Sequence, residues 1–206
     1  MKVNKNLAIV ILLFIITLVS YINIFPNDFA WDDAFFIVDN IHIKSLEEIP
    51  GFFTEPSTGN LYRPLRSVFY AITYQIWQLN VFGYHLNAFF LHFSISILLF
   101  FITLKITYKT AFSFVAALFF AVNPIHTARI TNMTAAFDVY GILFLLLSFL
   151  FYILFSKNGN GNKKYYYWLS IVFYLLALFS SEEAITLILL LFLYDFSFNH
   201  KIIFGD

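Results

Sequence analysis

Apolar runs recur along the whole chain, and they constrain its fold more than any other sequence feature. A helix needs roughly 20 apolar residues to cross about 30 Å of hydrocarbon. Only 12% of the 206 residues are charged and 61% are hydrophobic, which is about half the charged fraction of a soluble domain. The sequence therefore predicts an all-α, polytopic membrane bundle of about six transmembrane helices, forming a single domain over residues 1–206. The predicted spans are Leu7–Phe25, His85–Leu104, Ala111–Val122, Ile130–Phe155, Tyr165–Ser180 and Ala184–Phe198.

The charged residues are distributed unequally between the predicted loops. Cytoplasmic loops of membrane proteins are enriched in Lys and Arg. A cytoplasmic N-terminus places two-thirds of the basic residues inside, several of them around the Gly/Asn-rich loop Ser156–Lys164, and most acids outside. We therefore expect a multi-pass cell-membrane protein with its N-terminus in the cytoplasm and its first span uncleaved.

Net charge and cysteine content exclude several functions. The formal net charge is zero, so there is no basic excess of the kind that binds nucleic acid, and we predict no nucleic-acid partner. The chain has no cysteine, which excludes disulfides, thiolate metal sites and cysteine nucleophiles.

The outer segment between the first two predicted spans, residues 26–84, is too long for a simple connection. Within it, Pro64 stands at a helix-start position and apolar residues repeat at helical spacing up to Leu79. This pattern predicts a helix over 64–79 that lies in the outer membrane interface rather than crossing the bilayer.

Two adjacent aspartates, Asp32 and Asp33, follow the first predicted span by a few residues. The rigid end of that helix would hold at least one of them near the lipid surface, as a fixed general base requires. The alternative is that both acids only solvate the outer loop or cap the following helix.

Four short motifs follow the aspartate pair, all on the predicted outer side. They are Tyr62-Arg63-Pro64-Leu65, Gly83-Tyr84-His85-Leu86, Asn123-Pro124-Ile125-His126-Thr127 and Ser180-Ser181-Glu182-Glu183-Ala184. Their order and spacing resemble the N-terminal half of the integral-membrane GT-C glycosyltransferases, in particular the protein O-mannosyltransferase branch that includes the transmembrane and tetratricopeptide-repeat enzymes. The resemblance covers nearly the whole chain.

This resemblance implies an enzyme that transfers a sugar, such as mannose, from a polyprenyl-phosphate carrier to a hydroxyl of an extracytoplasmic protein or glycan. The family's acidic pair falls on Asp32 and Asp33, one of which would accept the proton of the acceptor hydroxyl. Planar guanidinium groups suit the leaving phosphate, and histidine donors and further acids would complete the site. The residues predicted to bind the substrate or the lipid phosphate are Arg63, Arg66, His85, His126, Arg129, Asp138 and Glu182.

The motifs differ from the family pattern at several positions. The family's His-Pro-x-His-x-Glu motif has Asn123 in place of its first histidine and Ala128 in place of its glutamate. The usual Ser-Lys-Glu motif lacks its lysine at Ser181, and the asparagine that follows His85 stands one residue early, at Asn87. Family members also continue through further spans, so we expect this chain to match only their first half.

Polar side chains inside the predicted spans need partners, because hydrocarbon offers none. His85 and His92 share one face of the second span. They either line a lipid-phosphate groove or are satisfied by neighbouring helices, and the second interpretation is favoured for His92. For Asp138 the expected partners are these histidines or Asn132, since Arg129 lies too far along the helix. The role of Asp138 stays open between a structural anchor and a member of the site.

The acids and histidines show no paired metal-ligand spacing, so we predict no metal site and no cofactor, and leave a divalent cation open. The leading hypothesis is an inverting glycosyltransferase that depends on a polyprenyl-phosphate sugar. The alternative is a non-catalytic membrane subunit or a lipid-carrier-binding protein, including a truncated family member.

Overall fold

The computed structural model describes residues 5–56, 59–157 and 164–198. Within these three ranges the chain forms helices and turns, with no extended strand, and the predicted all-α membrane bundle is confirmed. Residues 158–163 of the predicted cytoplasmic loop lie outside the described residues.

The α-helices follow the predicted apolar runs closely. They are α1 (Lys5–Tyr21), α2 (Pro64–Trp77), α3 (Val81–Thr107), α4 (Thr110–Val122), α5 (Thr127–Thr131), α6 (Met133–Lys157), α7 (Lys164–Ser180) and α8 (Thr186–Phe198). Short helical turns connect them at Ile22–Ile24, Ala34–Val38, His42–Lys44, Leu46–Phe53, Pro124–His126 and Glu182–Ile185. The outer loop between α1 and α2 is therefore a series of short turns.

By length and apolarity, fewer of the described helices could each cross a membrane than the six spans that the sequence predicts. Among the described residues, three helices are long and apolar enough to cross a membrane, namely Lys5–Ile24, Val81–Thr107 and Met133–Lys157. A fourth span forms if α4 is counted together with Pro124–Thr131, to which it is joined at a bend of 45°. Within the described residues, α7 has 17 residues and α8 has 13, so α7 is at the lower end of the range of about 17–25 residues that a span requires and α8 is below it. The predicted count of about six is not confirmed.

Helix α2 begins at the predicted proline and ends at Trp77 rather than at residue 79. Pro64 suits the first helical position because its missing N–H would have no helical partner there. The polar face of α2 is the buried one, with Arg66 and Tyr70 turned towards α6, whereas Ile76 is 66% exposed. The helix therefore packs on the bundle through polar side chains as well as apolar ones such as Ala71, and presents Ile76 outwards.

One hydrophobic cluster holds the outer loop, α2, α3 and α6 together. It contains Ile37 of the loop, Tyr70 of α2, Tyr84 of α3, and Met133 and Phe137 of α6. Because this cluster joins segments far apart in sequence, it fixes where the outer loop lies relative to the start of α6.

The turn between α2 and α3 explains the glycine of the predicted Gly-Tyr-His-Leu motif. A Cβ atom at Gly83 would lie 2.1 Å from the ring of Trp77. Any larger residue would displace the end of α2, so close packing requires a glycine here.

Candidate functional site

The two adjacent aspartates lie in different environments. Asp33 is fully buried, and its Oδ1 accepts hydrogen bonds from the backbone N–H and the hydroxyl of Thr134, both at 2.7 Å. Its Oδ2 accepts a third hydrogen bond from the N–H of Ala30 at 3.1 Å. Asp32 is exposed. The sequence pair thus consists of one buried carboxylate at the N-terminus of α6 and one carboxylate that faces outwards.

The residue before Asp32 has an unusual backbone conformation. Trp31 has a φ angle of 55°, in the left-handed region that a bulky residue rarely adopts, and its side chain is 90% exposed. Such conformations persist where surrounding structure enforces them, and they cluster at functional sites. The turn therefore presents Trp31 and Asp32 outwards in a backbone conformation that the loop alone would not favour.

Two arginines of the Tyr-Arg-Pro-Leu region are engaged by carboxylates of other segments. Arg63 donates from Nε and Nη2 to Glu182, at 2.8 and 2.5 Å, and from Nη1 to Asp138 at 2.7 Å. Arg66 donates to the same Asp138 oxygen at 3.0 Å. We call these four residues the charge network. The network joins α2 to α6 and to the turn before α8.

These contacts correct the expected partner of Asp138. The histidines of the second span and Asn132 were the predicted candidates, but the structure pairs Asp138 with Arg63 and Arg66. The expectation was wrong because it considered only segments beside Asp138 in the predicted bundle, whereas α2 brings its buried polar face against α6.

Burial distinguishes the members of the charge network. The side chains of Arg63 and Arg66 are 14% and 3% exposed, whereas that of Glu182 is 66% exposed. The hydrogen bond from Arg63 lowers the pKa of Glu182. Burial acts to lower the pKa of Arg63, but the bonds and charges of Glu182 and Asp138 outweigh this effect and raise it. Both arginines are already paired with carboxylates within the protein.

The third predicted arginine lies in a more open place. Arg129 of α5 donates to Glu183 at 2.7 Å, and the two side chains are 46% and 40% exposed. An exposed ion pair of this kind contributes about 0–1 kcal/mol to stability. Arg129 is therefore held less firmly than the two arginines of α2.

A groove of about 730 Å³ lies between the outer loop and α5. This volume is within the range of roughly 300–1,000 Å³ that is typical of small-molecule sites. Asp32 directly follows one lining residue, Trp31, in the chain. The groove is lined by Asn27, Asp28, Phe29, Ala30, Trp31, Ala128, Arg129, Thr131, Asn132 and Ala135.

The predicted histidines occupy separate positions. His85 is fully buried, and its Nε2 lies 3.2 Å from the carbonyl oxygen of Asn27, a residue that lines the groove. The Nε2 of His92 lies 3.0 Å from the carbonyl oxygen of Ala121, which supports the interpretation that a neighbouring helix satisfies it. The ring of His126 is partly exposed and lies 5.4 Å from the ring of His92. His85 therefore contacts the backbone of the groove rather than lining it.

The sequence alone does not reveal the role of Thr134. Asn132 accepts a hydrogen bond from the N–H of Ala135 at 2.9 Å, so Asn132 and Asp33 both bind free N–H groups at the start of α6. A polar residue just before an apolar run is a known signal of a helix start, but nothing in the local sequence connects this start to Asp33. Asp33 and Thr134 are separated by 101 residues in the sequence, which explains why that contact could not be predicted.

Among the residues whose positions are described, no group of three or more His, Asp or Glu side chains is arranged to hold a metal ion. The chemistry that this surface offers is therefore that of an exposed carboxylate, a half-exposed arginine and a groove with polar and apolar walls.

Comparison with known proteins identifies relatives in one group of enzymes. The chain is 30% identical over 145 residues to protein O-mannosyl-transferase TMTC2 of Mus musculus, a match covering 66% of this chain. It is 27% identical over 158 residues to protein O-mannosyl-transferase TMTC3 of Homo sapiens, covering 72% of this chain. It is 30% identical over 169 residues to protein O-mannosyl-transferase TMTC4 of Mus musculus, covering 70% of this chain. The predicted resemblance to the protein O-mannosyltransferase branch is confirmed.

The matched region is a small part of these relatives. It spans 17% of the length of the TMTC2 and TMTC3 proteins and 23% of the TMTC4 protein. No protein-family model matches the chain, and no solved structure matches it.

Proposed function

We propose that the chain provides the catalytic base and the carrier-phosphate site of a glycosyltransferase that uses a polyprenyl-phosphate sugar. The names of the relatives support sugar transfer, with mannose as the first candidate sugar. The observation that carries the proposal is that Asp32 is exposed and directly follows Trp31 in the chain, which lines a groove whose wall also includes Arg129.

In the proposed reaction Asp32 accepts the proton of the acceptor hydroxyl. The hydroxyl oxygen forms a bond to the anomeric carbon of the sugar, and the bond between that carbon and the phosphate oxygen breaks. The polyprenyl phosphate leaves with the electron pair, and the configuration at the anomeric carbon inverts. A positioned base and a cation near the leaving group are the two contributions that this displacement requires.

The environments of the two aspartates favour Asp32 over Asp33 as the base. A base must reach the proton that it removes, within hydrogen-bond distance or through one water. The oxygens of Asp33 accept three hydrogen bonds inside the protein, whereas Asp32 is exposed and directly follows the groove-lining Trp31.

Arg129 is the arginine that we assign to the carrier phosphate. A guanidinium binds phosphate through charge-assisted hydrogen bonds, and Arg129 is the most exposed of the three predicted arginines. His126, which lies in the turn before α5, would donate to the same phosphate. We propose that Arg63, Arg66, Asp138 and Glu182 instead hold α2 in place and so shape the outer surface.

We further propose that the groove faces the extracytoplasmic side and that the N-terminus is cytoplasmic. The distribution of basic residues in the predicted loops supports this orientation. The acceptor would then be a hydroxyl of an extracytoplasmic protein or glycan, and the polyprenyl chain of the donor would remain in the bilayer.

Transfer of a labelled sugar tests this function. Membranes that contain the full chain are incubated with polyprenyl-phosphate mannose, or with other polyprenyl-phosphate hexoses, carrying a radioactive sugar. We expect time-dependent appearance of label in a protein or glycan fraction, and none in membranes that lack the chain. Binding of the carrier without transfer of any of these sugars would contradict the enzymatic function and support the alternative, a lipid-carrier-binding protein.

A further inference from the structure

We propose that Asp33 is a positioning residue: it fastens the turn that carries Asp32 to the N-terminus of α6 through Thr134. We call the contacts between Ala30, Asp33 and Thr134 the latch. The effect of the latch on sugar transfer rests on the proposed function, whereas its effect on the structure of the loop does not.

The first part of the latch closes the turn on itself. The backbone N–H of Asp33 donates to the carbonyl oxygen of Ala30 at 3.1 Å, and the N–H of Ala30 donates to Oδ2 of Asp33 at 3.1 Å. These reciprocal bonds leave Trp31 and Asp32 at the apex of the turn. The side chain of Asp33 therefore restrains the backbone on both sides of Asp32.

The second part attaches the turn to the bundle. Oδ1 of Asp33 accepts from both the N–H and the hydroxyl of Thr134, each at 2.7 Å. The first N–H groups of a helix have no partner within the helix, and a carboxylate there is stabilised by the helix dipole. Hydrogen bonds to an ionised acceptor are roughly twice as strong as neutral ones. The attachment is therefore a strong contact between two segments 101 residues apart.

The surroundings of the latch make it a fixed point. Tyr70 of α2 donates from its hydroxyl to the carbonyl oxygen of Thr134 at 3.2 Å. Met133, which precedes Thr134, and Ile37, which lies four residues after Asp33, are both fully buried in the same hydrophobic cluster. Because three segments meet at Thr134, the turn has little freedom to move while Asp33 remains bonded. The backbone of Asp32 is thereby held at one position, next to the groove-lining Trp31, and Asp33 needs to exchange no proton itself.

The structural consequence is tested by the reactivity of a single thiol. The chain has no cysteine, so Met133→Cys provides one label site at a fully buried position, the first residue of α6. Its rate of reaction with a maleimide, in membranes that contain the full chain, reports how often this region opens. We expect Asp33→Asn to raise the rate about tenfold, since it removes the charge that strengthens the hydrogen bonds to this side chain. We expect Thr134→Val to raise it about fivefold, since it removes only the bond from the hydroxyl. We expect Thr134→Ser to restore the original rate.

Thr17→Val is the matched control. Thr17 is fully buried, and its hydroxyl donates to the carbonyl oxygen of Leu13 within α1 at 2.7 Å. The same change of side chain away from the latch is expected to leave the labelling rate unchanged. An unchanged rate in both Asp33→Asn and Thr134→Val would overturn the latch, as would an equal increase in Thr17→Val.

The catalytic consequence is tested by the kinetics of sugar transfer. We expect Asp33→Asn and Thr134→Val to lower kcat about tenfold or more, because small displacements of a reacting group are costly. We expect no change in the KM for the carrier-linked sugar, since the carrier site is retained. We also expect no change in the pH at which transfer reaches half its maximum, since the base is retained. Thr134→Ser is expected to restore kcat.

Three results would contradict the positioning role: full kcat in Asp33→Asn, a shifted pH profile in that variant, or no recovery in Thr134→Ser. If Asp33→Asn does not fold, Thr134→Val carries the test, because it leaves the carboxylate and the backbone bond in place. If the unaltered chain transfers no sugar, the proposed function fails, but the labelling experiment still decides whether the latch exists.

Discussion

Two regions of the outer surface use the same types of charged residue in different ways. In the charge network, Arg63 and Arg66 are largely buried and share Asp138, with Glu182 completing the pairing. In the second region, Asp32 is exposed and directly follows the groove-lining Trp31, and Arg129, which lines the same groove, forms one half-exposed pair with Glu183. We call Asp32, Arg129 and Glu183 the groove rim. Burial and pairing, rather than residue type, thus separate the charges that hold the fold from those available to a ligand.

The difference is also one of energy. Removing one partner of a buried ion pair leaves an uncompensated charge and costs about 3–5 kcal/mol. An exposed pair contributes about 0–1 kcal/mol, because water screens both charges. The charge network is therefore costly to disturb, whereas the pair at the groove rim is readily exchanged for a phosphate.

The largest effect is expected in the charge network. Asp138→Asn removes the carboxylate that Arg63 and Arg66 share, leaving Glu182 as the one remaining acid of the network. We expect a loss of about 3–5 kcal/mol in the free energy of unfolding, measured by denaturant unfolding in detergent. Glu183→Gln serves as the control, with an expected loss of about 1 kcal/mol or less. Equal losses in the two variants would show that the two regions do not differ.

The next effect concerns binding at the groove rim. Arg129→Gln removes the proposed partner of the carrier phosphate, and we expect the KM for the carrier-linked sugar to rise about tenfold or more, since charge-assisted hydrogen bonds contribute about 1.5–3 kcal/mol. The control is Lys44→Gln, which also removes an outer-loop cation but not one that lines the groove. The same KM in both variants would contradict the assignment of Arg129.

A smaller effect of opposite sign is expected at Glu183. If Glu183 competes with the phosphate for Arg129, Glu183→Gln lowers the KM severalfold, within the limit of about 1 kcal/mol that an exposed pair allows. The neighbouring Glu182→Gln is a matched control, because its partner Arg63 is only 14% exposed. We expect no decrease in KM there. A higher KM in Glu183→Gln would show that the glutamate assists binding instead.

The smallest effect is the pH dependence of the bond between Glu182 and Arg63. Because the pKa of Glu182 is lowered in the folded chain from its ordinary value of 4.5, this bond stabilises the fold at neutral pH. Its contribution begins to fall as the pH approaches the ordinary value and is lost as the pH drops through the lowered pKa. With Glu182 66% exposed, we expect a difference of about 1 kcal/mol or less between the unaltered chain and Glu182→Gln. Denaturant unfolding at pH 7 and at successively lower pH measures it, and a difference that grows on acidification would contradict the sign.

The sequence was sufficient to predict the helices but not their contacts. Apolar runs depend on residues close in the chain, so the positions of the helices and the start of α2 at Pro64 followed from local patterns. The number of crossings was not confirmed, because the apolar run Ala184–Phe198 predicted a span although its helix, Thr186–Phe198, has only 13 residues.

The site was predictable in its residue types but not in its division of roles. Asp32 and Asp33 are equivalent in sequence, and only the fold shows that Thr134 engages one of them. Likewise, the partners of Asp138 are Arg63, just before α2, and Arg66 on α2, at separations of 75 and 72 residues. Contacts of this kind depend on how helices pack, which the pattern of a single helix does not contain.

The most direct test of the central claim compares Asp32→Asn with Asp39→Asn in the labelled-sugar assay. Both residues are exposed acids of the same outer loop, but only Asp32 directly follows a residue that lines the groove, Trp31. With equal amounts of folded protein, we predict that Asp32→Asn lowers the rate of transfer roughly 10²–10⁴-fold, the usual contribution of a general base, and that Asp39→Asn leaves it unchanged. Transfer by Asp32→Asn at the rate of the unaltered chain would contradict the assignment of Asp32 as the base.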